Sequence, residues 1–351
     1  MRKLIVRRRP VSRRQLLISG TAFGAMAGLP GLARGQAPAI VTSDRMRPQA
    51  SQGVMSGDVT ASQAVIWSRA DRPAQMIVEY ATTEQFTDVR IFRGAHAIEA
   101  TDFTTRAVLL DLPADQQVFY RVTYLDLGDL KTTSAPVPGK FRTAPAGRRD
   151  IRFQWSGDTA GQGWGINPGW GGMKIYDAMR NGQPDFFIHS GDNIYADGVI
   201  PAEVKLADGS TWKNITTEEK SKVAETLDEF RGAYRYNLMD ANVRAFNADV
   251  PQIWQWDDHE TMNNWSPSKD LSDDPRYKEK RVMVMAARAG KAFREYAPMR
   301  PSNEEIERVY RLIPYGPSLD VFVLDMRSYR GPNGWNRQPT QSDETAYLGR
   351  P

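Results

Sequence analysis

The sequence predicts a mixed α/β protein in two parts, a small β-sandwich followed by a layered α/β domain. Two observations predict it. Residues 51–143 hold several short β-rich runs separated by turn residues and show no long helical pattern. After Asp150 the pattern changes to β and α segments in alternation, the signature of a layered sheet-and-helix domain. The chain has 351 residues, 40% hydrophobic and 25% charged, enough for one or two domains with a sizeable core. It has no cysteine, which excludes disulfides, thiolate metal sites and a cysteine nucleophile. Its three histidines, His96, His189 and His259, exclude a histidine-rich metal site within this chain.

The first element is a leader at residues 1–35. It holds eight basic residues and no acid, leaving 38 basic against 42 acidic side chains in the remainder. The net charge of +4 therefore belongs to the leader, and nucleic-acid binding is not expected. Ser12-Arg13-Arg14-Gln15-Leu16-Leu17 precedes a glycine-diluted apolar run that ends at Leu32, and Ala33-Arg34-Gly35 offers small residues for cleavage. Paired arginines before such a segment resemble a twin-arginine export signal. The run is short and interrupted for a membrane span, so no stable span is expected. The twin-arginine machinery is the expected partner, and the periplasm or the exterior the expected location. Residues 36–50 read as a linker.

Residues 51–145 read as the sandwich. Ala64–Ser68, Met76–Tyr80, Ala107–Leu110 and Val118–Tyr124 are the expected strands. The last alternates apolar and polar residues, as a half-buried antiparallel strand does. A closing strand is expected near Thr132–Pro138 and a linker at Thr143–Asp150. No catalytic constellation stands out here, and His96 is expected at the surface.

Residues 150–351 read as the α/β domain. Expected strands are Ile151–Trp155, Pro184–His189, Val250–Trp256, Val309–Ile313 and Leu319–Leu324; expected helices are Gly171–Arg180, a long amphipathic region Glu218–Phe246, and Lys278–Tyr296. In such sheets chemistry collects in the loops beyond the strand ends. Three strand ends carry acids: Gly157-Asp158-Thr159, Gly191-Asp192-Asn193-Ile194-Tyr195, and Asp257-Asp258-His259-Glu260. Each alone is also ordinary turn chemistry. Together they place like charges side by side, which is costly unless a cation compensates. Carboxylates with a phenolate suit hard ions such as Fe³⁺, Ca²⁺, Mg²⁺ or Mn²⁺. Residues 161–172 hold six glycines with Trp164 and Trp170, either a phosphate-wrapping loop or a plain loop beside the site. His189, at an odd offset from Asp192 along a strand, is expected to face away from it, buried and hydrogen-bonded.

These residues carry a resemblance. Gly191-Asp192-x-x-Tyr195 and Asp257-Asp258-His259-Glu260-x-x-Asn263-Asn264-Trp265 resemble motifs of the metallophosphoesterase superfamily, specifically the PhoD-type alkaline phosphatases. Gly53–Asp58 through Trp67-Ser68-Arg69 and Phe141–Pro145 resemble the family's entry into and exit from its N-terminal immunoglobulin-like domain. Tyr296–Arg300 and Leu324–Arg330 resemble later family segments. The resemblance implies an immunoglobulin- or fibronectin-like sandwich followed by an αββα metallophosphoesterase domain. It implies Asp192 as the bridge between two metals, Tyr195 as an iron ligand and Asp258 as a ligand of the second metal, with Asp257 a neighbouring competitor. Asp158 stands where the PhoD type often has cysteine and the wider superfamily has an oxygen donor. His259 would stabilise charge or protonate the leaving oxygen; the other possibility is a structural His–Asp hydrogen bond.

The implied cofactors are Fe³⁺ with Ca²⁺, with Mg²⁺, Mn²⁺ or Zn²⁺ as substitutes. The implied activity is hydrolysis of phosphomonoesters or phosphodiesters by a metal-bound hydroxide. The family also uses late histidines, and none follows His259 here, so the α/β domain is expected to be incomplete at its C-terminal end. Two other possibilities are a non-catalytic remnant that folds or binds, and a polysaccharide-binding module resting on the sandwich and the Trp-rich loop.

Overall fold

The computed structural model describes residues 46–302, 304–332, 340 and 342. The expected leader, most of the expected linker and the last residues of the chain lie outside the described residues.

Strands β1 (Val54–Gly57), β2 (Ala64–Arg69), β3 (Ala74–Ala81), β4 (Arg90–Ala97), β5 (Thr104–Leu109), β6 (Gln117–Asp126) and β7 (Val137–Arg142) build the N-terminal part. They form two antiparallel layers, β4-β3-β6-β7 and β5-β2-β1. Strand β6 follows its sequence pattern: Val118, Tyr120, Val122 and Tyr124 point inward, and the residues between them are only partly buried. They meet Val54, Ile66, Met76, Val78 and Phe141 in one apolar core. Strand β4 was not expected. Its sequence, RIFRGAHA, is almost wholly exposed, including His96, so burial imposed no alternation on it. The closing strand lies at Val137–Arg142, later than expected.

The C-terminal part has β8 (Phe153–Ser156), α1 (Lys174–Asn181), β9 (Phe186–Ser190), the small hairpin β10 (Glu203–Lys205) and β11 (Thr211–Lys213), α2 (Leu227–Asn237), α3 (Ala241–Asp249), β12 (Gln252–Gln255), α4 (Val282–Tyr296), and the hairpin β13 (Arg311–Pro314) and β14 (Asp320–Val323). Strands β12, β9 and β8 run parallel. Period-two alternation assigns their faces. Phe187 and Trp254 join a core with Tyr176 of α1, Phe230 of α2, Phe246 of α3 and Phe293 of α4. Phe186 and Ile253 point the other way, onto Ile313, Tyr315 and Val323 of the β13–β14 region. Helices thus cover one face of the sheet and a second β layer the other.

The long helical region expected at Glu218–Phe246 is broken twice. Thr226 caps α2 in a capping box: its side chain accepts from Glu229 N at 3.3 Å while Glu229 Oε2 accepts from Thr226 N at 2.9 Å. Asp240 then caps α3, accepting from Asn242 N and Val243 N at 2.9 and 3.1 Å.

The two parts share a sheet. Strand β1 pairs parallel with β12 at Gly57 and Gln252, giving one six-stranded order, β5-β2-β1-β12-β9-β8. The seam is reinforced by buried polar contacts. Asp58, with no exposed surface, takes a bidentate pair from Arg311 at 2.8–3.0 Å and accepts from Arg300 N at 2.9 Å. The Trp67 indole donates to Glu295 O at 2.7 Å, and Arg106 to Met299 O at 3.1 Å. Among the described residues no helix is long and apolar enough to cross a membrane.

Candidate metal centre

Because β8, β9 and β12 are parallel, their C-terminal ends open onto one edge, and the three acidic turns lie there together. Backbone bonds tie the turns to one another. Asp158 N donates to Gly191 O at 3.2 Å, Thr159 N to Asp192 O at 2.8 Å, and Ala196 N to His259 O at 2.8 Å. Gly191 has φ +98°, and a Cβ there would stand 2.4 Å from that of Asp257, so this crossing admits only glycine. Asp158 and Asp192 themselves turn at φ +60° and +53°, a conformation that aspartate tolerates better than most residues.

The turns gather the expected residues unevenly. Asp192, Asp258 and His259 offer ligand atoms that all lie within 4.8 Å of one another. Asp158 is outside that set; its Oδ1 accepts a hydrogen bond from the Tyr195 hydroxyl. The Tyr195 ring stacks on His259 with centroids 4.2 Å apart. The Gly161 backbone also closes on that ring, where an added Cβ would meet it at 2.2 Å. This is where the glycine-rich loop touches the site. Asp257 is drawn off by Arg327, 2.6 Å from its Oδ1, whereas Asp258 faces Asp192 and accepts from Asn264 N. Of the two neighbours, Asp258 is the one whose carboxylate lies with Asp192 and His259. His189 is buried, as expected, with Nε2 2.6 Å from Thr159 Oγ1, and burial lowers it to about 4.

Sequence reasoning passed over Asp197 and Lys220, and quoted Glu260 within its motif without giving it a role. Asp197 lies 2.7 Å from His259 Nδ1 and accepts from Asn263 N at 2.7 Å. Its signal was a further acid two residues beyond Tyr195. Glu260, fully buried, accepts from Asn193 N and Asp257 N and so pins two of the turns together. Lys220, also buried, donates to Tyr195 O; burial lowers its amine to about 8. Nothing in its local sequence marks it, because the contact is between distant segments.

The electrostatics follow from this crowding. Burial first, then the neighbouring Glu260 and Asp258, push the Asp192 carboxyl up to about 8. Burial likewise raises Glu260 to about 7. Burial opposes a charge on His259, but the hydrogen bond to Asp197 and the surrounding carboxylates outweigh it and raise the imidazole to about 8. Burial and the bond to Asp158 raise the Tyr195 phenol. Arg327 Nη2 stands 3.6 Å from Asp258 Oδ2 and offsets only part of the charge. A set of hard oxygen donors that resists its own ionisation fits a hard cation.

The comparisons with known proteins agree with this geometry. The family model for PhoD-like phosphatase matches residues 153–351, and that for the PhoD-like phosphatase N-terminal domain matches residues 35–145. Alkaline phosphatase D of Bacillus subtilis (strain 168) is 28% identical over 315 residues, 84% of this chain and 49% of the relative. A solved structure of PhoD superposes with a TM-score of 0.66 at 25% identity, covering 86% of this chain and 57% of that one. The chain thus spans about half the length of the relatives it matches. A sandwich leading into a mixed α/β part, acidic turns at one sheet edge and a family match over more than half its length lead to one conclusion: the chain belongs to the PhoD-like phosphatase family.

Proposed function

We propose that this chain acts as an exported, metal-dependent phosphoric ester hydrolase on phosphomonoesters or phosphodiesters. The observation that carries the proposal is the convergence of Asp192, Asp258 and His259 at the open edge of the parallel sheet, with Asp158 and Tyr195 beside them. Asp192, Asp258, Tyr195 and Asp158 would hold the cations, Fe³⁺ with Ca²⁺ being the pair that the family resemblance suggests. Bound there, hard cations supply positive charge to a phosphoryl oxygen and acidify a water.

The chain's own residues do the rest. Asp197 binds His259 Nδ1, which leaves Nε2 as the ring nitrogen available to substrate. The carboxylates around the imidazole favour its protonated form near neutral pH. As the bond from phosphorus to the leaving oxygen breaks, His259 Nε2 delivers its proton to that oxygen. The stacked Tyr195 ring and the Asp197 bond keep the imidazole from swinging away. The leader residues Ser12-Arg13-Arg14 support export by the twin-arginine route to the periplasm or beyond. The proposed division is a sandwich at 51–145 and a metallophosphoesterase part at 150–351.

The experiment measures metal content together with hydrolysis of p-nitrophenyl phosphate and bis-p-nitrophenyl phosphate at alkaline pH. It compares wild type with Asp192→Asn. The expected outcome is joint loss of metal and of turnover, the latter by about 100-fold or more. A wild-type chain that retains no metal and turns over neither ester overturns the proposal.

A further inference from the structure

A second cavity adjoins the candidate centre. It encloses about 190 Å³ between the glycine-rich loop, α1 and the β10–β11 hairpin. Asp158, Trp164 and Trp212 are among its lining residues. Met173, Ile175 and Met179 line it as well. The two indoles meet edge to face at 5.7 Å, and Trp164 is 42% exposed at the rim.

Several polar side chains along this cavity already have partners. Thr159 Oγ1 is shared between the Tyr176 hydroxyl at 2.5 Å and His189 Nε2 at 2.6 Å. Trp212 Nε1 donates to Asn214 Oδ1 at 2.7 Å, and Asp158 holds the Tyr195 hydroxyl. A hydroxyl-rich group entering here would give up water for few free partners. A flat apolar ring gives up nothing and gains indole edges and thioether contacts. The size agrees: an apolar cavity of about 150 Å³ accepts benzene.

We infer that this cavity is a subsite for the aryl group of a phosphate ester, with the ester's phosphoryl group directed past Asp158 towards the candidate centre. The inference rests on the phosphoric-ester proposal above and adds a substrate class to it. Hydrolysis of such an ester consumes water and releases a phenol and phosphate, so the ring leaves as the alcohol product.

The test compares phenyl phosphate with glycerol 3-phosphate as substrates of the full, metal-loaded chain, in wild type, Trp164→Ala and Trp164→Phe. For phenyl phosphate, Trp164→Ala raises KM about fivefold with kcat little changed, and Trp164→Phe restores most of it. Glycerol 3-phosphate is unaffected in either variant. An equal change for both esters, or none for phenyl phosphate, overturns the subsite. Ligand-observed NMR with phenol alone separates this inference from the phosphatase proposal. Binding to wild type that Trp164→Ala abolishes supports the subsite even if neither ester is hydrolysed. Absence of phenol binding to wild type overturns it whatever the turnover.

Discussion

Two buried aspartates sit on the same continuous sheet and have opposite surroundings. Asp58, at the end of β1, meets the Arg311 guanidinium in a bidentate pair and a backbone amide. Asp192, at the end of β9, meets Asp258, with Glu260 close enough to oppose its charge. At the seam Asp58 has a charged partner of opposite sign, which is what a buried structural charge requires. At the sheet edge like charges are held together by backbone ties and a glycine that nothing else could replace. The difference separates a group kept for stability from a group kept at stability's expense, and the second condition is characteristic of sites that bind.

Substitutions test that contrast. Asp58→Ala strands the Arg311 guanidinium in a buried position and destabilises by about 3–5 kcal/mol, read as a lower urea midpoint. A loss below about 1 kcal/mol would show that the seam does not depend on the pair.

His189 gives the next effect, through pH. Its native value of about 4 lies below the ordinary 6.5, so above pH 6.5 it is neutral in both states. As pH falls through 6.5 towards 4 only the unfolded chain takes the proton, and stability drops by about 3 kcal/mol. His189→Gln removes that part of the decline, seen by comparing urea midpoints near neutral pH and at about pH 4.5. An unchanged acid-side slope would place the cause elsewhere.

Asp192→Asn has the reverse sign. The carboxyl is pushed up to about 8, so in metal-free protein the unfolded state ionises first and stability falls as pH climbs from about 4 to 8. Discounted for solvent screening, the asparagine variant is more stable than wild type by about 2 kcal/mol at alkaline pH in chelator. Added metal reverses the order. A variant less stable than wild type in chelator would mean that the carboxylates are not in conflict. The smallest effect is Thr226→Ala, which removes the cap of α2 and costs about 1 kcal/mol at any pH. A thermal melt indistinguishable from wild type would deny the cap its role.

Legibility in the sequence followed burial. Strand β6 was readable because its inward face is apolar and its outward face is not. Strand β4, exposed along nearly its whole length, left no pattern. The capping box at Thr226 and the Asp240 cap were present in the letters, yet helical periodicity on both sides of them hid the breaks. At the site, Asp192, Asp258 and His259 were readable because turns after strands expose them in short motifs, and the structure brings those three together. Asp158 was readable as an acid at a strand end but meets Tyr195 rather than the other carboxylates. Asp197 and Lys220 act through partners more than twenty residues away or in another turn, and single-sequence spacing carries no trace of such contacts.

The pairing of β1 with β12 also bears on how the protein folds. Gly57 waits for Gln252, a separation of more than half the chain. Strand β2 can zip onto β1, and β5 onto β2, early, because those partners are local. The other flank of β1 stays open until α1, α2 and α3 have been made and β12 has followed them. Loop closure over such a distance is slow, and an open strand flank is an invitation to wrong partners in the meantime. Refolding should therefore be slower and more prone to aggregation than that of a free-standing sandwich of the same strands.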